Sequence, residues 1–412
     1  MTLSMNVNVK RGSFLGVSKS TLRDPRTWLV LLAITEKNIF RYMMLVLNRI
    51  TGIDGIGDLV LHLAYILLIG LCIVKGSRFR ATDIFIMLSV VLAILLTWVI
   101  YPANIETYMF GEGQFWPTVF PLFRYFIVGL FLIPNEETIT LMGKVSCLAI
   151  LVESLFVYFI LRDSDLQKND DMSRAYFILL NVLLVINYAF DKRTLAGVVF
   201  SIIGFLFLVS MGTRGPVIIA LSFSALKIIL SSVNKGHVYF TIGAILLLIW
   251  FVNSNYWTEF LFMIQNILDS LGLSTRVIEI AMQGETLSYY SERDEIAQLD
   301  LSKIKERPLT GWGVYGEWQF VGWSAHNMYL EILDHYGIII GGVVILWILF
   351  LNIKAYASTN VASVRSLVVL FACFSLIRGI FGGGFLTFPT FLTIGFFLQV
   401  CRRTNFKYLT VS

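Results

Sequence analysis

The stretch Ile84-Phe85-Ile86-Met87-Leu88-Ser89-Val90-Val91-Leu92-Ala93-Ile94-Leu95-Leu96-Thr97-Trp98-Val99-Ile100 contains no charged residue. A bilayer hydrocarbon core of roughly 30 Å needs a helix of about 20 such residues, because only a helix or a closed barrel satisfies its backbone polar groups in lipid. Comparable runs lie on both sides of it, at residues 58–74, 115–133, 145–161, 175–190, 195–211, 216–230, 238–252, 338–351, 361–377 and 385–400. A further run, 28–47, is interrupted by Glu36-Lys37-Asn38 and Arg41. With 57% hydrophobic and 14% charged residues, the composition is that of a chain dissolved in lipid. The expected fold is all-α: a polytopic membrane protein of about twelve transmembrane helices with one large outer-face loop.

Basic residues set the orientation, since Lys and Arg are retained on the cytoplasmic side. Lys10, Arg11, Lys19, Arg23 and Arg26 precede the first run, and Lys75, Arg78 and Arg80 follow the second. Lys192 with Arg193, Lys227 with Lys235, Lys354 with Arg365, and Arg402, Arg403 and Lys407 fall on the same side. Counting 28–47 as a span puts both ends inside. The expected layout is a cytoplasmic segment 1–27, nine spans in 28–252, an outer loop 253–325, three spans in 326–400 and a cytoplasmic tail 401–412. No cleavable signal sequence is expected, because the first apolar run starts late and no small-residue cleavage site follows it. Cys72, Cys147, Cys373 and Cys401 have no zinc or disulfide spacing, so neither metal nor cofactor is expected. The net charge of +5 is spread along the inner rim, where topology and anionic lipid account for it, and nucleic acid is not an expected partner.

The polar residues concentrate in the 253–325 loop, and loops longer than about 15 residues usually carry function or structure of their own. Its start, Tyr256 to Leu268, has the pattern of an amphipathic helix at the membrane interface. The short connection Met211-Gly212-Thr213-Arg214-Gly215-Pro216 puts an arginine at the opening of a span on the same face. Pro216 suits a first helical turn, whose free N–H groups favour an anion. An arginine in that position also suits simple snorkelling toward lipid phosphates. His326 and Asn327 stand where the loop re-enters the membrane, followed by Tyr329, Glu331, Asp334 and His335. A neutral imidazole is a good proton acceptor for a hydroxyl at neutral pH, although a helix-capping role would fit the same place. Arginines hold phosphate through a bidentate fork. Two of them with one histidine suit group transfer from a lipid diphosphate to an alcohol, without a metal.

At these residues the chain resembles the O-antigen ligase and O-antigen polymerase superfamily of bacterial membrane glycosyltransferases. The resemblance rests on three blocks: Thr213-Arg214-Gly215-Pro216; Arg293 followed by Pro308-Leu309-Thr310-Gly311-Trp312-Gly313; and His326-Asn327-Met328-Tyr329-Leu330-Glu331 with Tyr336-Gly337-Ile338-Ile339. It covers roughly residues 195–350. It implies an inner-membrane enzyme with a periplasmic active site, an undecaprenyl diphosphate-linked glycan as donor, and another glycan or lipid A core as acceptor. It assigns the diphosphate to Arg214 and Arg293, with Arg276 the competing second ligand, and the base to His326, supported by Asn327 and Glu331. Membrane lipid and a chain-length regulator are the other implied partners. Polymerase is preferred over ligase, because polymerase chains of this superfamily vary widely between strains while ligases form a narrower group. A secondary transporter or lipid-linked sugar flippase is the alternative of another class, in which Arg124, Glu153 and Arg378 would line a pathway.

Overall fold

The computed structural model describes residues 17–53, 55–106, 115–156, 167–211, 214–231, 255–270, 279, 282, 292–320, 327–382 and 384–402. Among the described residues the chain is helical and contains no strand. The helices are α1 (Pro25–Thr35), running through a π-turn (Glu36–Phe40) into α2 (Arg41–Thr51), then α3 (Ile56–Val74), α4 (Ala81–Ile100), α5 (Phe115–Phe131), α6 (Glu136–Phe156), α7 (Gln167–Lys192), α8 (Leu195–Ser210) and α9 (Arg214–Ser231). The later ones are α10 (Asn255–Ser270), α11 (Glu292–Glu306), α12 (Met328–Ala357), α13 (Ala362–Ala372), continued by a π-turn (Cys373–Ile377) into α14 (Arg378–Phe381), and α15 (Phe388–Arg402).

Six helical segments among the described residues are long and apolar enough to cross a membrane: Ile56–Val74, Ala81–Ile100, Glu136–Phe156, Arg174–Lys192, Met328–Ala357 and Ala362–Phe381. Val119–Phe131, Leu195–Val209, Gly215–Leu230 and Phe388–Arg402 are apolar but shorter. The expected span at 238–252 lies outside the described residues. α3 and α4 present Leu59, Leu63, Ile66, Leu67, Leu88, Leu92 and Leu95 outward, as lipid-facing helices do.

Burial of polar groups inside the bundle explains why the first run looks broken. At the π-turn, Glu36 accepts from Arg124 Nη2 and from the Tyr65 hydroxyl, both at 2.6 Å. Asn38 donates to Glu153 at 3.3 Å and accepts from Asn181 at 2.8 Å, and Glu153 pairs with Arg174 at 3.6 Å. Each polar side chain that interrupts 28–47 and faces inward therefore has a partner. Glycines set the closest crossing. A Cβ on Gly395 of α15 would meet the Phe126 carbonyl and Leu130 N of α5, and one on Gly129 would meet the Leu392 carbonyl. The two backbones touch there, the usual way helices associate without a hydrophobic driving force between them. Phe126, Phe371, Phe391, Phe396 and Phe397 fill the surrounding core.

Candidate functional site

The Pro-Leu-Thr-Gly-Trp-Gly motif braces a helix that is broken inside α12. Gly337 has φ 74° and ψ 173°, a conformation essentially confined to glycine, and it divides α12 into a half-helix ending at Tyr336 and a longer apolar helix after it. The break frees carbonyls, and the motif uses them. Trp312 N–H donates to the Asp334 carbonyl at 2.7 Å, Gly313 N–H to that of His335 at 3.1 Å, and Ile338 N–H to that of Pro308 at 2.7 Å. Gly311 and Gly313 take φ of 66° and 80°, and a Cβ at Gly311 would strike the Asp334 carbonyl. Asn104 donates to the Trp312 carbonyl at 2.7 Å, and Val314 N–H donates to Thr97 at 3.0 Å. The Arg307 guanidinium stacks on Trp312 with 3.9 Å to the ring centroid, which gives this basic residue a local structural role.

Carboxylates gather behind that motif. Asp300, Glu317, Glu331, Asp334 and His335 are each at most 3% exposed. His335 Nε2 receives the Tyr315 N–H at 3.1 Å and lies 2.9 Å from Glu317 Oε2. Burial pushes Glu317 up to about 8, against a smaller opposing effect of a backbone hydrogen bond. Burial also pushes Asp300 up to about 7, with the neighbouring Glu317 adding to the rise.

Arg378 forms a second polar centre, of opposite sign. The π-turn before it leaves the Leu376 carbonyl to the Tyr329 hydroxyl at 3.1 Å, and π-turns of this kind occur often at functional sites. The guanidinium lies over the rings of Tyr176 at 4.8 Å, Phe388 at 5.7 Å and Phe374 at 5.9 Å. It is 9% exposed, its Nε and Nη1 have no hydrogen-bond partner among the described residues, and no carboxylate of those residues pairs with it. Arg124 and Arg174, also buried, have Glu36 and Glu153. Those pairings supply the internal partnership that the transporter alternative would have to break, and they leave Arg378 as the exception.

The segments around Arg378 come from three parts of the chain. Tyr176 donates its hydroxyl to the Phe381 carbonyl at 2.9 Å, and both crowd Gly215, the second residue of α9. A Cβ at Gly379 would lie 2.9 Å from Met328 Cβ at the start of α12. Glu331 accepts from Phe385 N–H at 2.9 Å and fixes the loop after α14. The opening of α9, the opening of α12 and Arg378 are thus neighbours.

Arg214 begins α9 and Arg293 is the second residue of α11; their side chains are outside the described set. Arg276 and His326 lie outside the described residues. Asn327 caps α12, its side-chain oxygen accepting from Tyr329 N–H at 3.0 Å and Leu330 N–H at 3.2 Å. Glu331 is buried and serves the loop. The amphipathic run Tyr256 to Leu268 falls within the helix α10, whose Leu261 packs on Val209 of α8. Asp300 and Glu317 were not legible as site residues, because a carboxylate in a polar loop carries no sequence mark of burial. No family model and no curated protein matches the chain.

Proposed function

We propose that this helical membrane protein is a glycosyltransferase that moves a glycan from an undecaprenyl diphosphate carrier to an acceptor sugar hydroxyl at the outer face of a bacterial inner membrane. Its place would be as a polymerase of surface polysaccharide. The finer topology of twelve spans, with residues 253–325 on the periplasmic side, belongs to the same proposal. One observation carries the reading: Arg378, a buried guanidinium without a carboxylate partner among the described residues, stands beside the opening of α9. A buried cation without a counter-charge is costly, and an anion held there would relieve that cost. A helix N-terminus adds N–H groups that favour the same anion. Arg214, at the head of α9, brings a second charge to the same end of the helix.

In the reaction the acceptor O–H attacks the anomeric carbon of the donor glycan. The bond from that carbon to the diphosphate oxygen breaks, and undecaprenyl diphosphate leaves with its electron pair. His326, immediately before Asn327, takes the acceptor proton, while Arg214 and Arg378, with Arg293 or Arg276, hold the charge that grows on the leaving group. The test is deletion and complementation in the host. Surface glycan of a single repeat in the deletion strain, restored to long chains by the gene, fits a polymerase. Lipid-linked polymer with bare core would make it a ligase instead, and unchanged surface glycan would overturn both.

A further inference from the structure

The buried cluster behind the Gly-Trp-Gly motif has a composition that the transfer reaction does not use. Four carboxyl groups and one imidazole lie together, Asp300 and Asp334 at 0% exposure, Glu317 and His335 at 1% and Glu331 at 3%. No Lys or Arg among the described residues pairs with any of them. Both oxygens of Asp300, both of Asp334, Oε1 of Glu317 and Nδ1 of His335 lack hydrogen-bond partners among the described residues. Buried polar atoms are nearly always satisfied, and so many orphans in one place point to something bound between them.

Geometry narrows what that is. One donor atom from each of Glu317, Glu331 and His335 lies within 4.8 Å of the other two. Hard cations hold oxygens at roughly 2.0–2.6 Å, so ligands on opposite sides of one ion stand at about that separation. A donor set dominated by carboxylate suits Mg²⁺, Mn²⁺ or Ca²⁺ more than zinc or copper. We propose that Glu317, Glu331 and His335 bind one hard divalent cation that ties the turn at Gly316–Gln319 to the broken half-helix of α12. It lies beyond the transfer reading, since it acts on the architecture and leaves the diphosphate to arginines.

The experiment uses the full-length protein in nanodiscs. Metal content is measured by mass spectrometry as isolated and after chelation, and melting curves are recorded with Mn²⁺, Mg²⁺, Ca²⁺ and Zn²⁺ added back. The expected results are about one hard cation per chain after reloading and a cation-dependent rise in melting temperature. That rise should disappear in Glu317→Gln/Glu331→Gln. Each change removes a buried carboxyl, so without added cation the variant should melt no lower than the chelated parent, which separates loss of the ion from loss of the fold. Absence of stoichiometric metal together with no rise overturns the site. A rise with Zn²⁺ alone overturns the hard-cation assignment, and a rise that persists in the double variant places binding elsewhere.

Discussion

Replacing Gly337 by alanine is the sharpest perturbation of the broken helix. Two costs follow from the structure. The backbone at φ 74°, ψ 173° is one that an L side chain adopts only with strain of about 1–3 kcal/mol. The new methyl would also stand 2.5 Å from the Leu309 carbonyl oxygen and 2.6 Å from its carbon. These are backbone atoms, so relief requires moving the Pro308–Gly313 stretch and breaking the three hydrogen bonds that join it to α12. At about 1 kcal/mol each, those bonds bring the expected loss to roughly 4–6 kcal/mol. The control lies in the same helix: Gly342 has nothing within 4 Å of its would-be Cβ, and Gly342→Ala should be neutral or stabilising by up to about 1 kcal/mol. Melting followed by intrinsic fluorescence in nanodiscs should drop by roughly 5 °C or more for Gly337→Ala and hold or rise for Gly342→Ala. Equal melting of the two would refute the brace between motif and helix.

Three further outcomes follow from the charges. Arg124→Met leaves the buried Glu36 with only the more distant Lys37, at 3.8 Å, and should destabilise by up to about 3–5 kcal/mol, while Arg124→Met/Glu36→Met should recover much of that loss in the same melt. Arg378→Lys should keep the fold but lose most long-chain surface glycan, because an ammonium lacks the guanidinium fork; a wild-type ladder on a polysaccharide gel would remove Arg378 from the site. Arg214→Lys should fail in the same assay at unchanged protein level, and normal activity would reduce Arg214 to a topology signal.

The apolar runs were legible because lipid demands them, and 84–100 became Ala81–Ile100 with little change. Where the boundary moved, helix–helix burial was responsible. Residues 145–156 of the run at 145–161 belong to the helix Glu136–Phe156, whose Thr138, Gly143 and Ser146 are buried against protein. Gly143 lies so close to Tyr188 of α7 that a Cβ would sit 2.5 Å from its Cβ. Glu36 and Asn38 read as an interruption because their partners, Arg124 and Glu153, lie far along the chain. The 338–351 run began after Gly337 for a sound reason, since the helix breaks there. The half-helix before it is polar, and the motif at Pro308–Gly313 is what covers it. Arg378 was legible as a charge within a span, yet its lack of a carboxylate partner became visible only once Arg124 and Arg174 had taken theirs.

Purified protein in liposomes, given an undecaprenyl diphosphate-linked repeat unit as both donor and acceptor, offers the most direct measurement. Release of undecaprenyl diphosphate together with lengthened lipid-linked glycan is expected, with loss of both in His326→Ala while folding is retained. Unchanged turnover by His326→Ala would contradict the assigned base, and no release from the folded parent protein would contradict the transfer reaction itself.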